Sequence, residues 1–137
     1  MRLAFLLSAL TAGCAPSPGL VFSPASLAFG EVDFEGELPD EGYAVLTTVL
    51  RNAGKTTIAI SLPEYDTDRL CLGGFDTKVF PFDLGPLNPG AAYTFQVGVC
   101  GYVSGEVGTE VATELQIDGE DGGGTLPITF TPIRSSG

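Results

Sequence analysis

Val45–Ile60 reads VLTTVLRNAGKTTIAI, and its alternation decides the fold. β-branched and apolar residues fill VLTTVLRN, and Asn52-Ala53-Gly54 supplies a turn. The run KTTIAISL then places Thr56, Ile58, Ile60 and Leu62 on one face and Lys55, Thr57, Ala59 and Ser61 on the other. A period of two is the pattern of a half-buried strand, because successive side chains leave opposite faces of the sheet. The pattern recurs along the chain. AAYTFQVGVC puts Ala91, Tyr93, Phe95, Val97 and Val99 together. TEVATELQID puts Val111, Thr113, Leu115 and Ile117 inward, and LPITFTPI does the same with Leu126, Ile128 and Phe130. GLVFSP and SLAFGEV are shorter extended pieces, and GEDGGGT is a turn. No segment keeps a 3.6-residue period for three turns. The chain is expected to be all-β, an antiparallel sandwich of about seven to nine strands. Pro127 and Pro132 lack a donor N–H, which predicts that the last strand lies at or near an edge.

The amino end carries a different signal. In LLSALTAGCAPSPG, residues 6 to 19, an apolar run closes on small residues and Cys14. The run Leu3–Ala12 follows Arg2, and at 1.5 Å per residue it covers about 15 Å as a helix, half of a hydrocarbon core. It is too short to span and has the three parts of a secretory signal. Thr11-Ala12-Gly13-Cys14 resembles the lipobox of bacterial lipoproteins, with Thr11 where a leucine is usual. The resemblance implies a signal peptide at residues 1–13, cleavage between Gly13 and Cys14, and lipidation of Cys14. Residues 14–19 then form a tether, 20–134 the domain and 135–137 a tail. Two or more acyl chains hold a protein stably on a membrane, whereas one does not. The expected location is the bacterial cell envelope, on the periplasmic side or the cell surface.

The formal net charge is −11, and removal of Arg2 with the leader makes it one unit more negative. Such a chain is repelled by phosphate backbones, so nucleic acid is excluded as a partner and membrane attachment falls to the lipid. Three cysteines are an odd number for an exported protein. If Cys14 is lipidated, Cys71 and Cys100 remain, either as a disulfide or as two separate thiols. A bond closing about 30 residues would stabilise the fold by roughly 3–4 kcal/mol. Alternation puts Cys100 on the face opposite Phe95, Val97 and Val99. Unless a bulge resets the parity, the bond would lie outside the main core and pin the 63–75 loop against a strand end.

Three stretches in order, LAFGEV at Leu27–Val32, VLTTVLRNAGKTTIAI at Val45–Ile60 and PLNPGAAYTFQVGV at Pro86–Val99, resemble the bacterial ASH-type domains. These are Hydin-like, immunoglobulin-like modules related to PapD-like sandwiches, common in envelope proteins described as choice-of-anchor D. The similarity runs over residues 20 to 134 and implies an immunoglobulin-like sandwich. VCGYVSG at Val99–Gly105 departs from the family pattern, and the loop holding Cys71 is longer than expected.

Chemistry is sparse. The chain has no histidine and no tryptophan, which removes the commonest general base and zinc ligand. With Cys14 lipidated and the other cysteines bonded, no thiol nucleophile remains. A catalytic role, a cofactor and a bound metal are therefore not expected. Two acidic loops were weighed for calcium. Glu64, Asp66 and Asp68 fail the EF-type template because Arg69 stands where glycine is needed, and Asp118, Glu120 and Asp121 read as a polar turn. A carbohydrate-binding or calcium-dependent surface module is the alternative to a binding or scaffolding role. Sugar stacking would use exposed aromatics among Tyr43, Tyr65 and Tyr102, with Tyr93 inward. A protein partner is expected at the loops 63–75 and 101–108, on Tyr65, Leu70, Leu72 and Tyr102. The competing expectation is that these four pack beneath their own loops.

Overall fold

The structure is a computed structural model and describes residues 19–40, 42–73, 80–120 and 123–134. The signal peptide, Cys14, most of the tether and the tail at 135–137 lie outside the described residues, as does Asp121. Nine strands follow in order: β1 Leu20–Ser23, β2 Leu27–Asp33, β3 Ala44–Asn52, β4 Ile58–Leu62, β5 Leu70–Leu72, β6 Phe82–Leu87, β7 Ala92–Val99, β8 Val111–Gly119 and β9 Gly124–Ile133. One sheet has the order β1-β3-β7-β5 and the other β2-β9-β8-β4-β6. The described residues contain no helix. The chain is an all-β, immunoglobulin-like sandwich.

The inward faces are those that alternation dictates. Ile58, Ile60 and Leu62 of β4, Phe95, Val97 and Val99 of β7, Leu115 and Ile117 of β8, and Leu126, Ile128 and Phe130 of β9 are buried. Polar partners such as Gln96, Glu114 and Gln116 stay exposed between them. Removing this apolar area from water is the main favourable term in the fold.

One expectation is corrected: β2 pairs with β9 in parallel, so that sheet is mixed rather than wholly antiparallel. β9 lies near an edge rather than at it, one strand in, between the edge strand β2 and β8. Its prolines are tolerated because each falls where a ladder is absent. The pairing with β2 starts at Leu27 opposite Ile128, one residue beyond Pro127. The pairing with β8 stops at Val111 opposite Phe130, before Pro132, whose carbonyl instead accepts from the Gly108 N–H at 2.8 Å.

A bulge in β2 explains LAFGEV. Phe29 and Gly30 together fill the space opposite one residue of β9, between the Ala28–Thr129 and Glu31–Thr131 pairs. Gly30 has φ 70°, a conformation open to glycine at no steric cost. The extra residue resets the alternation, so Leu27 before it and Val32 and Phe34 after it all point into the core.

The sheets are joined at one end by Asn52, which is fully buried. Its Nδ2 donates to the carbonyls of Thr56 and Leu87, both at 2.8 Å, and its Oδ1 accepts from the Gly54 N–H at 2.9 Å. Its own N–H donates to Ala91, and its carbonyl accepts from the Gly90 N–H. A Cβ on Gly54 would stand 3.3 Å from the Asn52 Oδ1, so a side chain there would push this oxygen by a few tenths of an ångström. The NAG and LNPG segments are thus parts of one assembly. Asn52→Ala leaves the Leu87 carbonyl without its partner in a buried site, at about 1–3 kcal/mol, and the Thr56 carbonyl and Gly54 N–H without theirs in part-buried positions, where water offsets much of the loss. The variant should lose about 2–4 kcal/mol of stability, read as a lower urea midpoint at unchanged slope.

Candidate functional site

The strands set two ends. At one, the Ala53 N–H donates to the Gly19 carbonyl at 2.7 Å beside the Asn52 turns, so the chain enters the domain there. At the other lie the connections 34–43, 63–69 and 100–110 and Arg134. The eight residues of β7 separate the ends by roughly 25 Å.

Cys71 and Cys100 form a disulfide with Cα atoms 5.9 Å apart. Cys71 sits in β5 opposite Gly98, between the buried Leu70 and Leu72, and so points away from the core. Cys100 follows Val99 with the same outward parity. The bond therefore lies outside the main core, pinning edge strand β5 to the end of β7.

Arg69 braces the same junction. Its guanidinium pairs with Asp66 at 2.9 Å and with both oxygens of Glu106. Asp66 also accepts from the Thr113 hydroxyl at 2.8 Å, and Glu106 from the Val103 N–H at 2.7 Å. The Arg69 carbonyl accepts from the Cys100 N–H at 2.7 Å. One cation thereby ties the β4–β5 loop, the β7–β8 loop and β8 together. Hydrogen bonding by Glu106, then by Asp66, holds Arg69 in its charged form, and the Arg69 hydrogen bond holds the Glu106 carboxyl below its ordinary range. With Asp66 engaged by Arg69 and Thr113, the EYDTD acids do not converge. Among the described residues, no three acidic or cysteine side chains gather where a metal could sit.

A second apolar cluster lies at this end. Phe34 is 4.8 Å from the Tyr43 ring, 4.7 Å from Tyr102 and 6.3 Å from Phe130. The Tyr102 hydroxyl meets Arg134 at 3.3 Å, and Arg134 pairs with Glu35 at 2.8 Å.

The four residues expected to form an exposed docking patch are placed otherwise. Leu70 and Leu72 are core residues, 2% and 4% exposed, because they project inward from a strand where a loop was expected. Tyr65 is half-buried with its ring 5.7 Å from Phe80, and burial pushes its hydroxyl pKa up. Tyr102 is half-buried against Phe34. Tyr93 lies 4.9 Å from Phe95. All four tyrosine rings therefore pack on another aromatic ring. Among the described residues, the exposed large apolar side chains in the 34–43 and 100–110 connections are Leu38, Val103 and Val107, and none carried a periodic signal. Arg69 was also missed, although an arginine beside Cys71 among acids, in a chain with six basic residues, was a usable cue.

No protein-family model and no curated protein sequence matches the chain. Solved structures do. A protein of unknown function from Porphyromonas gingivalis W83 superposes with TM-score 0.58 at 12% identity, over 85% of this chain and 49% of that one. The ASH/PapD-like domain 7 of human CEP192 gives 0.56 at 14% identity, over 98% of each chain. The YadV chaperone gives 0.48 at 10% identity, over 83% of this chain and 52% of that one. The chain thus spans about half the length of the first and last of these. The likeness to the first two shows the fold, an immunoglobulin-like sandwich.

Two outcomes follow from the braced junction. Replacing Cys71 and Cys100 by serine should cost about 3–4 kcal/mol by denaturant titration. Because the Glu106 pKa is depressed in the folded state, its stabilisation is complete above the unfolded value. It is lost as pH falls below roughly 4–5 and through the folded value. Glu106→Gln should flatten that part of the stability–pH curve between neutral pH and pH 3, and an unchanged acid limb would contradict the role of this pair.

Proposed function

We propose that the chain is a lipid-anchored, non-catalytic binding or scaffolding module of the bacterial cell envelope. The observation that carries the reading is the placement of the two ends. The segment leading from Cys14 joins at the Asn52 end, while the disulfide-braced loops stand roughly 25 Å away, held clear of an anchoring surface. Rigid loops on a sandwich are a common place for recognition. The chemistry favours binding over catalysis. No histidine is present, and the charged groups braced at the loop end face one another rather than an open cleft. A thioether-linked diacylglycerol at Cys14, with acylation of the new amino end, supplies the membrane affinity that an acidic surface cannot.

Mass spectrometry of the amino terminus from a native envelope should find a triacylated peptide beginning at Cys14. Cys14→Ser should leave the chain unprocessed or release it from the membrane fraction. An unmodified amino terminus at another residue would refute the anchor. Affinity capture from crosslinked envelopes should recover a defined protein partner, and recovery of none would refute the binding role.

A further inference from the structure

β1 covers only half of β3. Its four residues pair with Val49–Asn52, and the chain then crosses through Pro24–Ser26 to the other sheet, where β2 pairs with β9 alone. Ala44–Thr48 consequently have β7 on one side and no strand on the other. The bond from the Asn52 N–H to Ala91 shows that even-numbered groups of β3 face β7. Alternation therefore turns the N–H and C=O of Val45 and Thr47 to the open side. Among the described residues no backbone partner meets them there.

The side chains agree. Leu46 shares the inward parity of Thr48 and Leu50, which are fully buried, yet it is 37% exposed. The strand that would roof it has left the sheet. The Thr48 hydroxyl donates to the Pro24 carbonyl at 3.1 Å and closes the near end of the gap. Natural edges are usually guarded by lysine, proline or an inward charge. Ala44-Val45-Leu46-Thr47-Thr48 carries none of these and is rich in strand-forming residues.

The surroundings fix the chemistry of what would fit. β2 runs against β3 across this seam and exposes Glu31 and Asp33, and the β2–β3 connection adds the exposed Glu37 and Asp40. Arg134, the nearby cation, is engaged with Glu35. A second copy of a chain with net charge −11 is disfavoured by repulsion. We propose that Ala44–Thr48 is a docking edge for an extended basic segment of a partner protein, which adds antiparallel to β3 in line with β1. Val45 and Thr47 supply main-chain hydrogen bonds, Leu46 takes an apolar side chain, and Glu31, Glu37 and Asp40 take lysine or arginine. This rests on the binding-module reading and narrows it to one surface.

The test uses the full chain, isotope-labelled, and an end-blocked nonapeptide of alternating lysine and valine. Amide exchange at Val45 and Thr47 should slow at least tenfold at saturating peptide, and added salt should weaken the effect. A peptide with glutamate for lysine, or with alternate amides N-methylated, should bind at least tenfold more weakly. Thr47→Pro removes an N–H that no described group accepts and should keep the melting temperature within a few degrees while weakening binding tenfold. Leu46→Lys, at an exposed position, should do the same by repulsion. Unchanged exchange at both amides, equal binding of the glutamate peptide, or undiminished binding by both variants would overturn the proposal. So would self-association abolished by Thr47→Pro, which would make a second copy the occupant. Envelope capture separates the two readings. Partners retained by Thr47→Pro overturn the edge and leave the binding role standing, whereas no partner for either form refutes the binding role.

Discussion

Five hydrogen bonds converge on one buried asparagine, and the sandwich depends on them. Asn52 ends β3 in one sheet, and its amide reaches the carbonyls of Thr56, just before β4, and Leu87, the last residue of β6, both in the other sheet. Its backbone meets Ala91 and Gly90, at the turn into β7. Buried carbonyls at strand ends are costly unless satisfied. An amide suits the site because it offers two donors and an acceptor on a short stem. A carboxylate in its place would repel both carbonyls, and an apolar residue would leave them bare. One residue thus links the end of β3 to the approach to β4, the end of β6 and the turn into β7.

The other end is held by different means. Among the described residues no buried side-chain amide reaches across it, and the connections are longer. A disulfide outside the core and a half-buried arginine with two carboxylates take over, joined by the Phe34 cluster. Ion pairs on open surfaces contribute little, but this one is bidentate and tied to backbone groups, which is where such pairs are strongest. In a chain with 17 acids and six basic residues, where a cation sits is decisive. Arg69 and Arg134 each neutralise acids at this end, while Glu31, Asp33, Glu37 and Asp40 lie exposed along β2 and its loop.

Long alternating strands were legible in the sequence because burial of one face imposes a period of two, and the inward residues of β4, β7, β8 and β9 follow it. The signal fails where that constraint is broken or too short. Gly30 inserts a residue and reverses the parity of β2, so strict alternation would send Val32 and Phe34 to the wrong face. β5 has three residues, too few to show a period, and Leu70 and Leu72 therefore read as exposed loop residues. Pro127 and Pro132 pointed to an edge because the rule concerns missing N–H groups, while the positions where neighbouring ladders stop are a tertiary property. The disulfide pairing rested on cysteine parity, and its outward placement on strand alternation. The ion network around Arg69 could not be read at all, since Asp66, Glu106 and Thr113 meet only after the loops fold.

The parallel pairing of β2 with β9 bears on the order of events in synthesis. Leu27 finds its neighbour at Ile128, near the opposite end of the sequence, and β9 is an interior strand of its sheet. Until that final strand arrives, β2 has no partner and β8 lacks one side. Contacts this distant in sequence are slow to form, because loop closure must precede any gain from pairing. A partly emerged chain can therefore pair β1, β3, β7 and β5, but the facing sheet that covers them is unfinished until β9 appears. The two halves of the core thus mature at different times, and closure of the sandwich waits for β9.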